Sequence, residues 1–223
     1  MDSPAEDSEE VEAVLGDNNI LGMIWTVTLV CFCWTVALII KHKKPVSDIR
    51  REVARKFVHI GVSNWFFIYS SFFTLWYYPV AGLLFFAVVN YFIEIKTGTR
   101  RSWGTVYFPL SIVMMIAMKE LGFGTVSSVG CGLLGMGYAD GLASLFGMKF
   151  GKTKMPFSKK KSVFGSLVVF IVSCIVVLIF TDISIPCVLL IGFASMLAEA
   201  YTPMGLDNFS VPLVIYILST VLC

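Results

Sequence analysis

The chain is poor in charge: 14% of its 223 residues are Asp, Glu, Lys or Arg, against 57% that are hydrophobic, and the mean hydropathy is +0.82. A water-soluble domain of this size could not hide so much apolar surface, so an ordinary soluble fold is excluded. Histidine is scarce, with only His42 and His59, and the six cysteines (Cys31, Cys33, Cys131, Cys174, Cys187, Cys223) show no CxxC spacing. Neither a zinc module nor a disulfide framework is expected, and the cysteines read as small buried apolar side chains. Lys and Arg are absent before Lys41, so the N-terminus lacks the basic region of a secretory signal peptide. There is no internal repeat, no Gly-x-x-x-x-Gly-Lys-Ser/Thr loop and no prenylation box, since Cys223 is the last residue. With 17 basic residues set against 15 acidic ones, no nucleic-acid partner is expected.

What is present in quantity is long apolar sequence. The run 20–40 has about the roughly 20 residues that cross a hydrocarbon core. The next stretch, 57–93, contains no acid, Lys or Arg and is too long for one span; Tyr77, Tyr78 and Pro79 divide it, which predicts helices over 59–75 and 78–94. Further spans are predicted over 105–119, 123–147, 162–181, 184–200 and 208–223. The expected fold is therefore all-α, a polytopic helix bundle of about eight spans (seven to nine). Residues 1–18 form an acidic tail expected to be disordered, and 19–223 a single membrane domain.

The seventeen basic residues are distributed unevenly over the loops. Seven acids (Asp2, Glu6, Asp7, Glu9, Glu10, Glu12, Asp17) precede the first span, and Lys41, Lys43, Lys44, Arg50, Arg51, Arg55 and Lys56 follow it. The positive-inside rule puts the N-terminus outside, or in a lumen, and the first loop in the cytosol. Lys96, Arg100, Arg101, Lys149, Lys152, Lys154, Lys159, Lys160 and Lys161 then also fall inside; only Lys119 falls outside.

The residues that carry chemistry lie at these inner helix ends. Residues 130–151 read GCGLLGMGYADGLASLFGMKFG, with Asp140 the only acid. The glycines read as close packing between membrane helices. A carboxylate in such a span is costly unless it meets a cation, a proton or water. Six lysines following it point to a divalent metal with an anionic ligand, the alternative being a simple ion pair with Lys149 or Lys152. The loop KKKSVFGS places Ser162, Gly165 and Ser166 after Lys160 and Lys161, at a predicted helix N-terminus that could offer amides to phosphate; attraction to anionic lipid is the alternative. Arg55, Lys56 and His59 lie within one helical turn or so, or serve as membrane anchors and a core histidine. The last inner loop holds Glu199, Asp207 and Asn208 around a Pro-Met-Gly turn, suited to metal, nucleotide or proton handling or to helix capping.

Taken in order, Arg55-Lys56-x-x-His59, Asp140-Gly141-x-Ala143-Ser144 with Gly147, Gly151 and Lys152, Lys161-Ser162-x-x-Gly165-Ser166, and Glu199 with Asp207-Asn208-x-x-Val211-Pro212 resemble the CTP-dependent lipid kinases, which include diacylglycerol, dolichol and phytol kinases. The resemblance covers most of the chain from Arg50 onward. It implies transfer of the γ-phosphate of CTP to a lipid alcohol with a divalent cation, usually Mg²⁺. Carried over by motif, Arg55, Lys56, Gly147, Lys152, Lys161 and Ser162 belong to the nucleotide and phosphate site with Asp140, and Asp207 and Asn208 to the last loop of the pattern. Many members have Gly-Asp-Gly or Gly-Asp-Thr where this chain has Ala139-Asp140-Gly141.

On this reading Asp140, helped by Glu199 or Asp207, holds the metal, while Arg55, Lys56, Lys152, Lys160 and Lys161 neutralise phosphate charge, with Ser162, Gly165 and Asn208 nearby. Asp140, Glu199 and His59 are candidate bases, Glu199 being favoured if Asp140 binds metal. Diacylglycerol is the first expected alcohol, giving phosphatidate in phospholipid biosynthesis, followed by a polyprenol such as dolichol and then phytol. The membrane would be the endoplasmic reticulum or a bacterial inner membrane. Two rivals are a CTP:phosphatidate cytidylyltransferase, whose long C-terminal signature is missing, and a lipid transporter or scramblase, which would place ionisable groups nearer the midplane.

Overall fold

The computed structural model describes residues 4–42, 48–97, 103–155, 158–203 and 205–223. In chain order the elements are α1 (Pro4–His42), α2 (Asp48–Ser63), α3 (Trp65–Phe72), α4 (Tyr77–Thr97), α5 (Gly104–Glu120), α6 (Val126–Phe150), β1 (Lys154–Met155), β2 (Ser158–Ser162), α7 (Val163–Phe180), α8 (Ile185–Tyr201) and α9 (Asp207–Leu222). Among the described residues the regular structure is helical apart from one small antiparallel hairpin, β1–β2, in which Lys154 faces Ser162 and Met155 faces Ser158.

Among the described residues, four helical segments are long and apolar enough to cross a membrane: Gly16–Ile40, Tyr77–Lys96, Val126–Phe150 and Val163–Phe180. Side chains such as Phe32, Leu38, Phe85, Phe92 and Ile179 are exposed on these helices, a surface that only a hydrocarbon solvent satisfies. The chain is an integral membrane protein.

Two expectations change. The acidic tail, expected to be disordered, continues α1 back to Pro4. Proline suits a first helical turn. The span expected over 59–75 is instead the 16-residue α2 followed by the 8-residue α3. α2 begins well before the apolar stretch because its charged residues lie on one face, and it breaks at Asn64. There the side-chain amide returns to the carbonyl of Ile60 at 2.8 Å, an alternative to helical continuation. The other predicted helices from 78 onward coincide with α4 to α9 to within a few residues.

Local caps set the later boundaries. Gly122 and Gly124 take φ values of +84° and +102°, a backbone only glycine adopts without strain. Thr125 Oγ1 then accepts from the Ser128 amide at 3.1 Å to start α6. Ser162 Oγ accepts from the Gly165 amide at 3.1 Å to start α7.

α6 is the central element, packed against α2, α3, α5, α7 and α9. Its glycines are the reason: a methyl group at Gly130 would overlap Phe66, at Gly132 Met115, at Gly135 Ile215, at Gly137 Ser63 and at Gly141 Ile60. The close-packing reading of these glycines is the one the structure bears out. α1 is pinned to the next helices by Trp65 Nε1 donating to Thr26 Oγ1 at 2.8 Å and by buried Asn19, whose side chain bonds Thr74 and Leu75.

The Gly137–Ser63 contact leaves no room for a side chain. Gly137→Leu is expected to destabilise the protein by about 1–3 kcal/mol through overpacking, read as a lowered denaturation midpoint in detergent; an unchanged midpoint would contradict this α2–α6 packing.

Candidate functional site

Polar side chains of α2 recur at Glu52, Arg55, Lys56, His59 and Ser63, spacings of three, one, three and four that keep them on one helical face. On α6, Asp140 and Ser144 share a face, beside the Gly137–Gly141 stripe where Ser63 and Ile60 sit. The two helices run antiparallel, so the glycines bring the backbones together and the polar residues meet as rungs. Lys56 Nζ reaches Asp140 Oδ2 at 2.6 Å, and one turn away Ser144 Oγ donates to Glu52 Oε1 at 2.6 Å.

Lys56 is 2% exposed. An ammonium so buried is tolerable only with a close anion, and Asp140 supplies it. His59 Nε2 lies 3.5 Å from the same Oδ2, buried and, among the described residues, without a hydrogen-bond partner, with its ring against Phe108. Arg55 donates to Glu52 through Nε at 3.0 Å and Nη2 at 2.6 Å. Its side chain is 56% exposed, so it remains accessible to a soluble anion.

Burial pushes the Glu52 carboxyl up, but hydrogen bonds from Arg55 and Ser144 and the charges of Arg55 and Lys56 together hold it below the ordinary carboxylate range. Burial pulls Arg55 down; the hydrogen bond and charge of Glu52, then Asp140 and Asp207, more than reverse this. Asp207 belongs to the second cluster, and its field therefore reaches the first.

That second cluster gathers where β2, α8 and α9 meet. Lys161 Nζ lies 3.1 Å from Glu199 Oε1 and 3.3 Å from Asp207 Oδ2, and also donates to the carbonyls of Glu199 and Thr202. Ser166 Oγ donates to Glu199 Oε2 at 3.3 Å. Asp207 opens α9, and its Oδ1 accepts from the Asn208 amide and side chain at 3.0 and 3.2 Å. Gly205, at φ +94°, makes the turn that brings Asp207 back to Lys161.

The sequence-derived residues are thus distributed between two groups: Arg55, Lys56, His59 and Asp140 in one, Lys161, Glu199, Asp207 and Asn208 in the other. Three of the residues expected near phosphate, Gly147, Ser162 and Gly165, also make contacts with one another. Gly147 and Gly151 pack on Ser162, Ser162 caps α7, and the Gly165 amide is taken by that cap. The Val163 amide also bonds the Thr153 carbonyl at 3.1 Å, so the α7 N-terminus offers fewer open amides than its sequence implies. Lys152 is exposed beyond α6. The side chain of Lys160 lies outside the described residues, as do Lys43, Lys44, Arg100 and Arg101.

Sequence reasoning missed Glu52. The signal was present, since Glu52-x-x-Arg55-Lys56-x-x-His59 forms one helical face, but a helix expected to start only at residue 59 concealed it. Among the described residues no three His, Cys, Asp or Glu side chains group as a protein-only metal site. Mg²⁺ rarely needs one, because it takes one or two carboxylates alongside phosphate and water oxygens. Asp140 fits such a role: its Oδ1 accepts no hydrogen bond among the described residues.

An apolar groove of about 620 Å³ lies between α3, α6 and α7, lined by Phe67, Leu134, Tyr138, Leu142, Ile175 and Ile179 among others. Tyr138 is two residues from Asp140, roughly 200° round the helix, so the groove and the first charged cluster occupy different faces of α6.

Removing Lys56 alone leaves a partly buried carboxylate without its close cation. Lys56→Met is expected to cost about 3–5 kcal/mol, and adding Asp140→Leu should recover much of it. Denaturation of both variants in micelles tests the pair; a cost for Lys56→Met below about 1 kcal/mol would fit an exposed pair instead.

No family model matches the chain, and no solved structure matches it. Among curated proteins, a phytol kinase of Synechocystis sp. is 29% identical over 182 residues, covering 73% of this chain and 76% of the relative. That similarity agrees with the resemblance carried by the ordered motifs from Arg55 to Asn208, and it supports a likeness to the lipid kinases that include phytol kinase.

Proposed function

We propose that the protein transfers the γ-phosphate of CTP to the hydroxyl of a membrane lipid alcohol, and that the alcohol is a long isoprenoid such as phytol or a polyprenol. The observation that carries the reading is the pair of lysine–carboxylate clusters, Lys56–Asp140 beside exposed Arg55 and Lys161–Glu199–Asp207. A polyphosphate needs this arrangement of cations, and its metal needs the carboxylates. The phytol kinase relative moves the preferred acceptor from diacylglycerol to an isoprenoid alcohol.

Mg²⁺, held by Asp140 with Asp207 as a second carboxylate, would supply neutralisation of the phosphate oxygens. Arg55, Lys56 and Lys161 hold the polyphosphate, and Asn208 steadies Asp207. The new bond joins the lipid oxygen to Pγ, the bridge from Pβ to Pγ breaks, and CDP leaves. The hydroxyl proton passes to His59, whose buried Nε2 has no hydrogen-bond partner among the described residues and faces Asp140; Glu199 is less suited because Lys161 and Ser166 already engage it. Catalysis is mainly positioning and electrostatics.

The clusters are read as lying at the cytosolic face of about eight crossings with the N-terminus outside. This requires the shorter α5, α8 and α9 and the broken α2–α3 pair to cross as well. The loop charges support it, Lys119 being the one basic residue of seventeen assigned outside. In a background freed of native cysteines, Thr153→Cys should react with an impermeant maleimide only after the membrane is opened; labelling in intact cells would reverse the orientation.

Purified protein with Mg²⁺ and CTP labelled at the α or γ position, or γ-labelled ATP, should be offered phytol, polyprenol, diacylglycerol and phosphatidate. Label from γ-CTP in an isoprenoid phosphate is expected, and Asp140→Asn should lower kcat about 10²-fold or more. Label from α-CTP alone would identify a cytidylyltransferase, and full activity in Asp140→Asn would remove that carboxylate from the mechanism.

A further inference from the structure

Glu52 lies outside the motifs that carry the family resemblance, yet it has more polar partners than any other residue of the first cluster. Its carboxylate accepts from Arg55 Nε and Nη2 and from Ser144 Oγ, and lies 4.0 Å from Lys56 Nζ. Ser144 belongs to α6, so Glu52 ties the cations of α2 to the helix that carries Asp140.

Arginine has five N–H donors in a rigid fork. Glu52 takes two of them, along one edge, and leaves three on a side chain that is 56% exposed. A flexible exposed arginine would lose side-chain entropy each time it gripped a phosphate. Held by one edge, Arg55 has lost much of that entropy before the ligand arrives, and its free edge keeps a fixed direction relative to Asp140.

We infer that Glu52 is a positioning residue for the phosphate-binding site, holding Arg55 in the orientation that grips the nucleotide polyphosphate and taking its own position from Ser144. The role rests on the kinase reading above and adds a residue to it. Glu52 does not touch the reacting atoms; it acts through Arg55.

The test is a double-mutant cycle in kcat/KM for CTP and in equilibrium CTP binding, using detergent-purified full-length protein. Glu52→Gln and Arg55→Gln are each expected to reduce both by about tenfold or more. The double variant should be little worse than Arg55→Gln, because contacting residues that act as a unit are not additive. Glu52→Asp, which keeps the charge, should restore part of the loss. Ser144→Ala gives a milder second route and should show a smaller decrease that vanishes in the Glu52→Gln background.

Independent, multiplicative losses, or a loss in folding stability with unchanged CTP kinetics, would leave Glu52 a structural ion pair and overturn the inference. Tighter CTP binding in Glu52→Gln would make Glu52 a competitor of phosphate for Arg55, and overturn it equally. A wild-type protein that neither binds CTP nor transfers phosphate would bring down the kinase reading itself, an outcome distinct from additive losses in an active enzyme.

Discussion

The buried ion pair between Lys56 and Asp140 is the constraint on which the rest of the site depends. Two full charges 2.6 Å apart, one on a side chain 3% exposed, persist in an apolar bundle only if the helices that carry them cannot separate. Gly137 and Gly141 allow that approach by removing the side chains that Ser63 and Ile60 would otherwise strike. The small residues of α6 are therefore as necessary to the charge arrangement as the charges themselves.

From this pair the polar network extends in two directions. Along the α2–α6 seam it reaches Glu52, Ser144 and Arg55. Through the field of Asp207 on Arg55 it is linked to the junction of β2, α8 and α9, where Lys161 holds a helix C-terminus and two carboxylates together. The hairpin delivers Lys161 to that junction, and the Ser162 cap starts the next helix at the following residue. One cluster is built from side chains on a helical face, the other from chain ends and turns. Both leave cationic and anionic groups close together, the condition for handling a metal-bound polyphosphate.

Membrane class was legible because composition and the length of apolar runs report it directly. The helices from α4 onward were legible because turns, glycines and charges interrupt those runs. Asp140 stood out as one acid in an apolar helix. The α2–α3 break was not legible, since Asn64 is a single polar residue in a long uncharged stretch and its effect depends on its side-chain amide turning back to Ile60. Glu52 was concealed by its own surroundings: among basic loop residues an acid reads as solvated, until the helix is seen to begin at Asp48.

Composition, periodicity and motifs are local properties, and they alone place this chain in a membrane, locate its helices after residue 77 and carry its resemblance to the lipid kinases. Contacts between elements were needed to show that Lys56 is buried against Asp140, that Ser162 and Gly165 form a cap, that Lys161 bridges two helix ends and that Glu52 bonds both Arg55 and Ser144. Those outcomes depend on which helical faces meet, and that was set by the volume missing at the glycines of α6.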